Sequence, residues 1–219
     1  MKKINWRYAF GEIIIVILGI SIAFWLNSWK ENKANSKLKD QYFDNLILDL
    51  TEEIKLLEIN EKEFLSKIEI AQTVLPVIND INNTRKDTVA RAMFSLAQLT
   101  NFTPQNTTYQ TLVNSGDMKL IDNFELRRSI EEHYSFHSIV LKDYKRLEII
   151  NENHLGDFFI NNIDYSKMRK GDMEFLEDPI LSNIISSMRG AYQLVIAIGR
   201  KCIESNNKLL EKIKNEKER

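Results

Sequence analysis

Ile13-Ile14-Ile15-Val16-Ile17-Leu18-Gly19-Ile20-Ser21-Ile22-Ala23-Phe24-Trp25-Leu26 contains no charge, and its reading decides the architecture of the whole chain. With Asn27, Ser28 and Trp29 the run reaches about 17 residues, and Tyr8-Ala9-Phe10 extend it past Glu12 towards the ~20 apolar residues that cross a bilayer. Aromatic side chains stand at both ends: Trp6, Tyr8 and Phe10 before it, Trp25 and Trp29 at its close. Such rings prefer the membrane–water interface, so the pattern predicts a transmembrane helix over residues 8–29 behind a short basic tail, residues 1–7.

Three other leader types fit less well. A cleaved signal peptide has a shorter apolar region that ends in small residues, whereas this run ends in Trp25, Asn27 and Trp29. A lipoprotein signal needs a cysteine directly after the run, and the one cysteine of the chain is Cys202. A pilin leader places glutamate fifth after its glycine; here Glu12 follows Gly11 at once and Val16 stands fifth.

Lys2, Lys3 and Arg7 precede the span, and Lys30, Lys33, Lys37 and Lys39 follow it, so the positive-inside count is nearly even. The short N-tail favours a signal anchor with its N-terminus in the cytoplasm. The expected location is therefore the cytoplasmic (inner) membrane, with the remaining chain on the extracytoplasmic side. Within the span, Gly19-x-x-x-Ala23 would let two helices approach closely, which allows a homo-oligomer or another membrane protein as partner. Glu12 reads as an interfacial acid beside Arg7 or Tyr8.

Tyr8-Ala9-Phe10-Gly11-Glu12-Ile13, the second glycine Gly19 and the closing Asn27-Ser28-Trp29 resemble the start of a bacterial family of small single-pass proteins known only as a domain of unknown function. A second similar patch is Thr107-Thr108-Tyr109 with Leu112, Ser115-Gly116, Leu120-Ile121, Asn123, Leu126-Arg127 and Tyr134. The resemblance covers most of the chain. It implies an anchor and a helical domain, and brings no activity, ligand or catalytic residue with it.

Over the whole chain, 7 glycines and 3 prolines in 219 residues are too few for the many turns of a β fold, so the chain is expected to be all-α. A formal net charge of −1 gives no field for gathering nucleic acid. No glycine or proline lies between Gly19 and Pro76, so the membrane helix is expected to run on into a long helix with the stripe Leu46, Leu50, Leu57, Phe64, Ile68, Ala71 and Leu75, interrupted by Glu53 and Glu61. Pro76 or residues 79–83 should end it. Thr84 or Asp87 should cap a helix with Val89, Met93, Leu96 and Leu99.

Thr103-Pro104 should start a short helix that stops near Gly116, and Asp122-x-x-Glu125 should open a helix running to about Phe159. Residues 161–177 lack clean periodicity and read as a loop with room for a short turn of helix. Asp178-Pro179 should start the last helix, with the stripe Leu181, Ile184, Met188, Ala191, Val195, Ile198, Cys202 and Leu209. The stripes predict an antiparallel bundle over residues 30–207 with long coiled-coil-like helices, and a fraying charged tail over 208–219.

His133 and His137 are one helical turn apart and of a type that ligates metal. The HExxH order is absent, the sequence identifies no third ligand, and His137 falls on an apolar stripe, so hydrogen-bonded core histidines are expected. His154 stands alone, and Cys202 sits at a packing position. No phosphate loop or nucleophile motif occurs, and the Asn-x-Thr triplets at Asn82, Asn101 and Asn106 read as chance. The expected catalytic, cofactor-binding and metal sets are empty. The function expected is a membrane-anchored interaction or scaffold module rather than an enzyme. The alternative is an extracytoplasmic ligand-sensing bundle that works through a separate membrane partner.

Overall fold

From Phe43 onward, burial along the chain follows steps of three and four: Phe43, Leu46, Leu50, Glu53, Leu57, Asn60, Phe64, Lys67, Ala71, Val74 and Ile78. These steps keep one side of a helix turned to the same neighbours for about ten turns. The computed structural model describes residues 6–78, 80 and 85–218, and the seam belongs to α1, Trp6–Ile78, one helix of 73 residues. The expected continuity of the apolar segment with the long helix holds. Pro76 sits in the last turn, so the hydrogen bond that its missing N–H removes lies at the end of the helix. Residues 1–5, the Asn82 triplet and the Thr84 cap lie outside the described residues.

Two more long helices complete the body: α4, Phe124–Ile150, and α7, Pro179–Lys217. Cross-links set their directions. Glu53 meets Asn206 and Glu61 meets Arg200, so α7 runs antiparallel to α1. His133 meets Ser205 and Ser129 meets Lys212, so α7 also runs antiparallel to α4. Glu53 meets His137 and Asn60 meets Tyr144, which makes α1 and α4 parallel. The fold is all-α, with no strand among the described residues.

Between α1 and α4 lie α2, Lys86–Leu96, and α3, Thr107–Asn114. The non-helical strap of residues 97–106 joins them and runs back along α1. Each polar residue of the α1 seam serves this strap. Lys67 donates to the Gln98 carbonyl and to Thr100 Oγ1, Asn60 Nδ2 donates to the Asn101 carbonyl at 2.9 Å, and Glu53 Oε2 accepts the Gln105 N–H at 3.1 Å. A strap without secondary structure, anchored by the buried Thr100 and Phe102, needs partners for its backbone, and three polar residues seven apart supply some of them. Asn151 finishes the job by donating to the Leu96 and Ala97 carbonyls at the end of α2.

After Ile150, a wide turn at Asn151–Gly156 carries α4 straight into α5, Asp157–Asn162, followed by the single turn α6, Tyr165–Met168. Asp178 accepts the Ile180 N–H with Pro179 at the first helical position, as the sequence predicts.

Several expectations shift. Glu53 lies inside the seam rather than interrupting it, while Ile68 and Leu75 are only half-buried because Lys67 and Val74 take the inward positions. Arg85 stands at the α2 cap position and Asp87 lies inside that helix, while Leu99 falls outside it. Thr103-Pro104 stays in the strap, and α3 begins after Asn106. Asn123, not Asp122, caps α4, accepting the Leu126 N–H at 3.1 Å. The tail expected to fray over 208–219 instead continues α7 to Lys217, because Leu209, Leu210 and Ile213 pack on Phe43, Leu46 and Leu50.

The core divides in two. One apolar cluster, with Phe43, Leu46, Leu50, Ile130 and Leu209, lies at the end nearer the N-terminal segment. The larger one, with Phe64, Met93, Val140, Tyr192 and Val195, fills the far end. Below Phe43, no described side chain of α1 from Phe10 to Tyr42 is buried. The apolar first part of α1 projects from the body, which the helix meets by Tyr42, whose hydroxyl donates to Asp117 Oδ2 at 2.8 Å; α1 is the one helix among the described residues long and apolar enough to cross a membrane.

Candidate functional site

The two apolar clusters are separated by a polar layer built by one residue of α1, two of α4 and two of α7. Glu53 stands three residues after Leu50 and four before Leu57, which turns its carboxylate inward with 1% exposure. His133 and His137 follow each other by one turn on α4, so both rings fall on the same inward face. Cys202 and Asn206 do the same on α7.

Glu53 Oε1 is the hub. It accepts from His137 Nε2 at 2.9 Å and from Asn206 Nδ2 at 3.0 Å, and the Cys202 thiol approaches it at 3.6 Å. His133 Nε2 lies 3.8 Å from the same oxygen, beyond hydrogen-bond reach. That nitrogen is fully buried and has no hydrogen-bond partner among the described residues. The other ring nitrogen, Nδ1, sits 2.9 Å from Ser205 Oγ. Asn206 Nδ2 also reaches the Cys202 carbonyl at 3.0 Å, while its Oδ1 has no partner among the described residues.

The electrostatics follow from this geometry. Burial pushes the Glu53 carboxyl upward, but the hydrogen bond and charge of His137, with the Asn206 and Gln105 donors, outweigh it and hold the group below its ordinary value. Glu53 is therefore an ionised carboxylate inside the bundle. Burial, then the neighbouring His137 ring, bring His133 down to about 4 despite the Glu53 charge, so its ring is neutral at pH 7. Burial and the Glu53 charge push the Cys202 thiol up, which keeps it protonated and inert.

The glutamate and the two histidines present three ligand atoms within 4.8 Å of one another. His154, by contrast, is exposed on the wide turn and takes no part. Beside the layer, between α4 and α7, a groove of about 360 Å³ opens to solvent, with His133 and Ser205 at its base and Lys201, Lys208 and Lys212 along its rim. The histidine pair was visible in the sequence. Glu53 was not, because a glutamate on an apolar stripe reads as a break. The available signal was the row Glu53, Asn60 and Lys67, spaced by seven.

Fold and layer together define a class: a three-helix bundle with a buried carboxylate–histidine centre, carried on a helix whose first part stands apart and is strongly apolar. The chain belongs to a family of unknown function, DUF6090, whose model matches residues 12–186 and so includes Glu53, His133 and His137. No curated protein sequence and no solved structure matches the chain.

Proposed function

We propose that this chain is a single-pass membrane protein whose helical body is an interaction or scaffold module held off the bilayer surface. The observation that carries this reading is the state of the N-terminal segment. Its most apolar window has a mean hydropathy of 2.0 and none of it is buried against the rest of the chain. Phe10, Ile13, Ile15, Ile17, Phe24 and Trp25 each expose more than half of their surface. An apolar surface of that extent needs cover, and a bilayer of ~30 Å matches the length of residues 8–29. With Lys2, Lys3 and Arg7 ahead of the span and no acid among them, this reading puts the cytoplasm on that side and the body on the extracytoplasmic side of the inner membrane. Around Gly19 an added Cβ would meet nothing within 4 Å, so the Gly19–Ala23 face is open to a second helix.

Carbonate washing and detergent extraction of membranes test the anchor. The chain should resist carbonate and leave only with detergent; release by carbonate would end this reading. Protease added to spheroplasts should remove the body if it faces outward, and full protection would reverse the orientation. Crosslinking in membranes followed by pull-down should capture a homo-oligomer or a membrane partner. The groove between α4 and α7 favours one second reading, a ligand-sensing bundle working through a separate partner. A strictly monomeric protein that gains thermal stability from a small ligand would select that reading over the scaffold.

A further inference from the structure

We propose that Glu53, His133 and His137 form a binding site for one divalent transition-metal ion of the zinc class, set in the polar layer where α1 and α4 meet α7. Two imidazoles and a carboxylate are a ligand set that zinc and its borderline neighbours accept, with one coordination position left for water.

The spacing suits such an ion. Ligand atoms ~2.0–2.1 Å from a tetrahedral centre stand ~3.3 Å apart. The observed separations from Glu53 Oε1, 2.9 Å to His137 Nε2 and 3.8 Å to His133 Nε2, fall on either side of that value. All three ligand atoms lie within 4.8 Å of one another, and side-chain shifts that close the widest gap bring them to one point. An ion there replaces the proton shared by His137 Nε2 and Glu53 Oε1.

A second observation points to a ligand independently of the cluster. His133 Nε2 is buried, unpartnered among the described residues, and aimed into the layer. Ser205 stands at the opposite ring nitrogen. When Nδ1–H donates to Ser205 Oγ, the Nε2 lone pair is left facing Glu53 and His137. Ligand histidines are commonly oriented by such an outer hydrogen bond. Glu53 is held in the same way, with Oε2 occupied by the Gln105 N–H and Oε1 turned to the histidines. Charge agrees as well, since the carboxylate brings a buried negative charge that a cation balances. The groove lined by His133 and Ser205 lies directly beside the layer.

The test uses the full chain in mild detergent, stripped with a chelator and titrated with Zn²⁺ or Co²⁺ alone. One ion per chain should remain after desalting, the bound Co²⁺ should show visible ligand-field bands, and the unfolding temperature should rise. Glu53→Gln and His133→Gln should each lose more affinity than the ~10–100-fold that an outer hydrogen bond contributes, and Ser205→Ala should lose an amount within that range. His154→Ala should leave binding unchanged. A folded wild-type chain that retains no ion overturns the proposal, as does binding that survives both Glu53→Gln and His133→Gln. If those two variants do not fold, Ser205→Ala decides: unchanged affinity there overturns the site.

Discussion

Glu53 divides its work between two oxygens, one on the strap and one on the layer, and the residues around it are exposed to simple tests. Cys202 is fully buried with its thiol protonated beside that carboxylate. It should resist alkylating reagents in the native chain and react only on unfolding, which mass spectrometry of timed samples reads directly. His133 gives a pH dependence. Its ordinary value of 6.5 falls to about 4 in the fold. Above 6.5 the ring is neutral in both states; between 6.5 and 4 the unfolded chain takes up a proton that the folded one refuses. In chelator-stripped protein, stability should therefore fall on acidification through that window, by up to about 3 kcal/mol. Glu53, lowered in the fold, acts in the same direction at lower pH. Unfolding temperatures at pH 7 and pH 5 check the sign, and no loss at pH 5 would mean that the ring is not held neutral. The histidine pair could be read from sequence because its spacing is local. Its third member could not, because Glu53 and His137 are 84 residues apart and meet only through tertiary packing.

At the scale of the element, α1 is legible as a helix throughout, while its inward face needs the polar row to be placed. A stripe of Leu and Phe alone fits Ile68 or Lys67 equally well, and hydrophobicity chooses the wrong one. The strap chooses Lys67, since its carbonyls need donors. This gives a prediction that runs against hydropathy. Asn60→Leu makes the seam more apolar but removes the donor to Tyr144 Oη and to the Asn101 carbonyl, and should destabilise the fold by about 1–3 kcal/mol in urea titration. Helix starts depend on cap chemistry. Asp178-Pro179 was readable because its cap and proline stand side by side, whereas Asp122 and Asn123 offer two equal caps and only packing selects the second. Asp178→Ala should cost about 1 kcal/mol, measured the same way.

For the whole molecule, helix content and the continuity of α1 followed from the scarcity of glycine and proline, but the parallel course of α1 and α4 did not. It depends on α2, the strap and α3 returning the chain along α1, and no local pattern reports that. The same blindness misjudged residues 208–219, whose charges hide Leu209, Leu210 and Ile213 on the inner face. Since the buried core begins at Phe43, a chain starting at residue 30 should fold to a soluble helical body with an unchanged unfolding temperature, read by circular dichroism. Loss of helix in that fragment would show that the projecting segment supports the core. The unbroken course of α1 has a mechanical consequence. Under the proposed anchoring, which puts Trp29 at the bilayer interface, the far end at Ile78 lies about 75 Å away along one continuous helix. A tilt of ~20°, ordinary for a single span, swings that end sideways by about 25 Å. The helix is then a lever arm, and a change in bilayer thickness that alters the tilt is converted into a lateral sweep of the body, setting how far across the membrane surface this protein can reach.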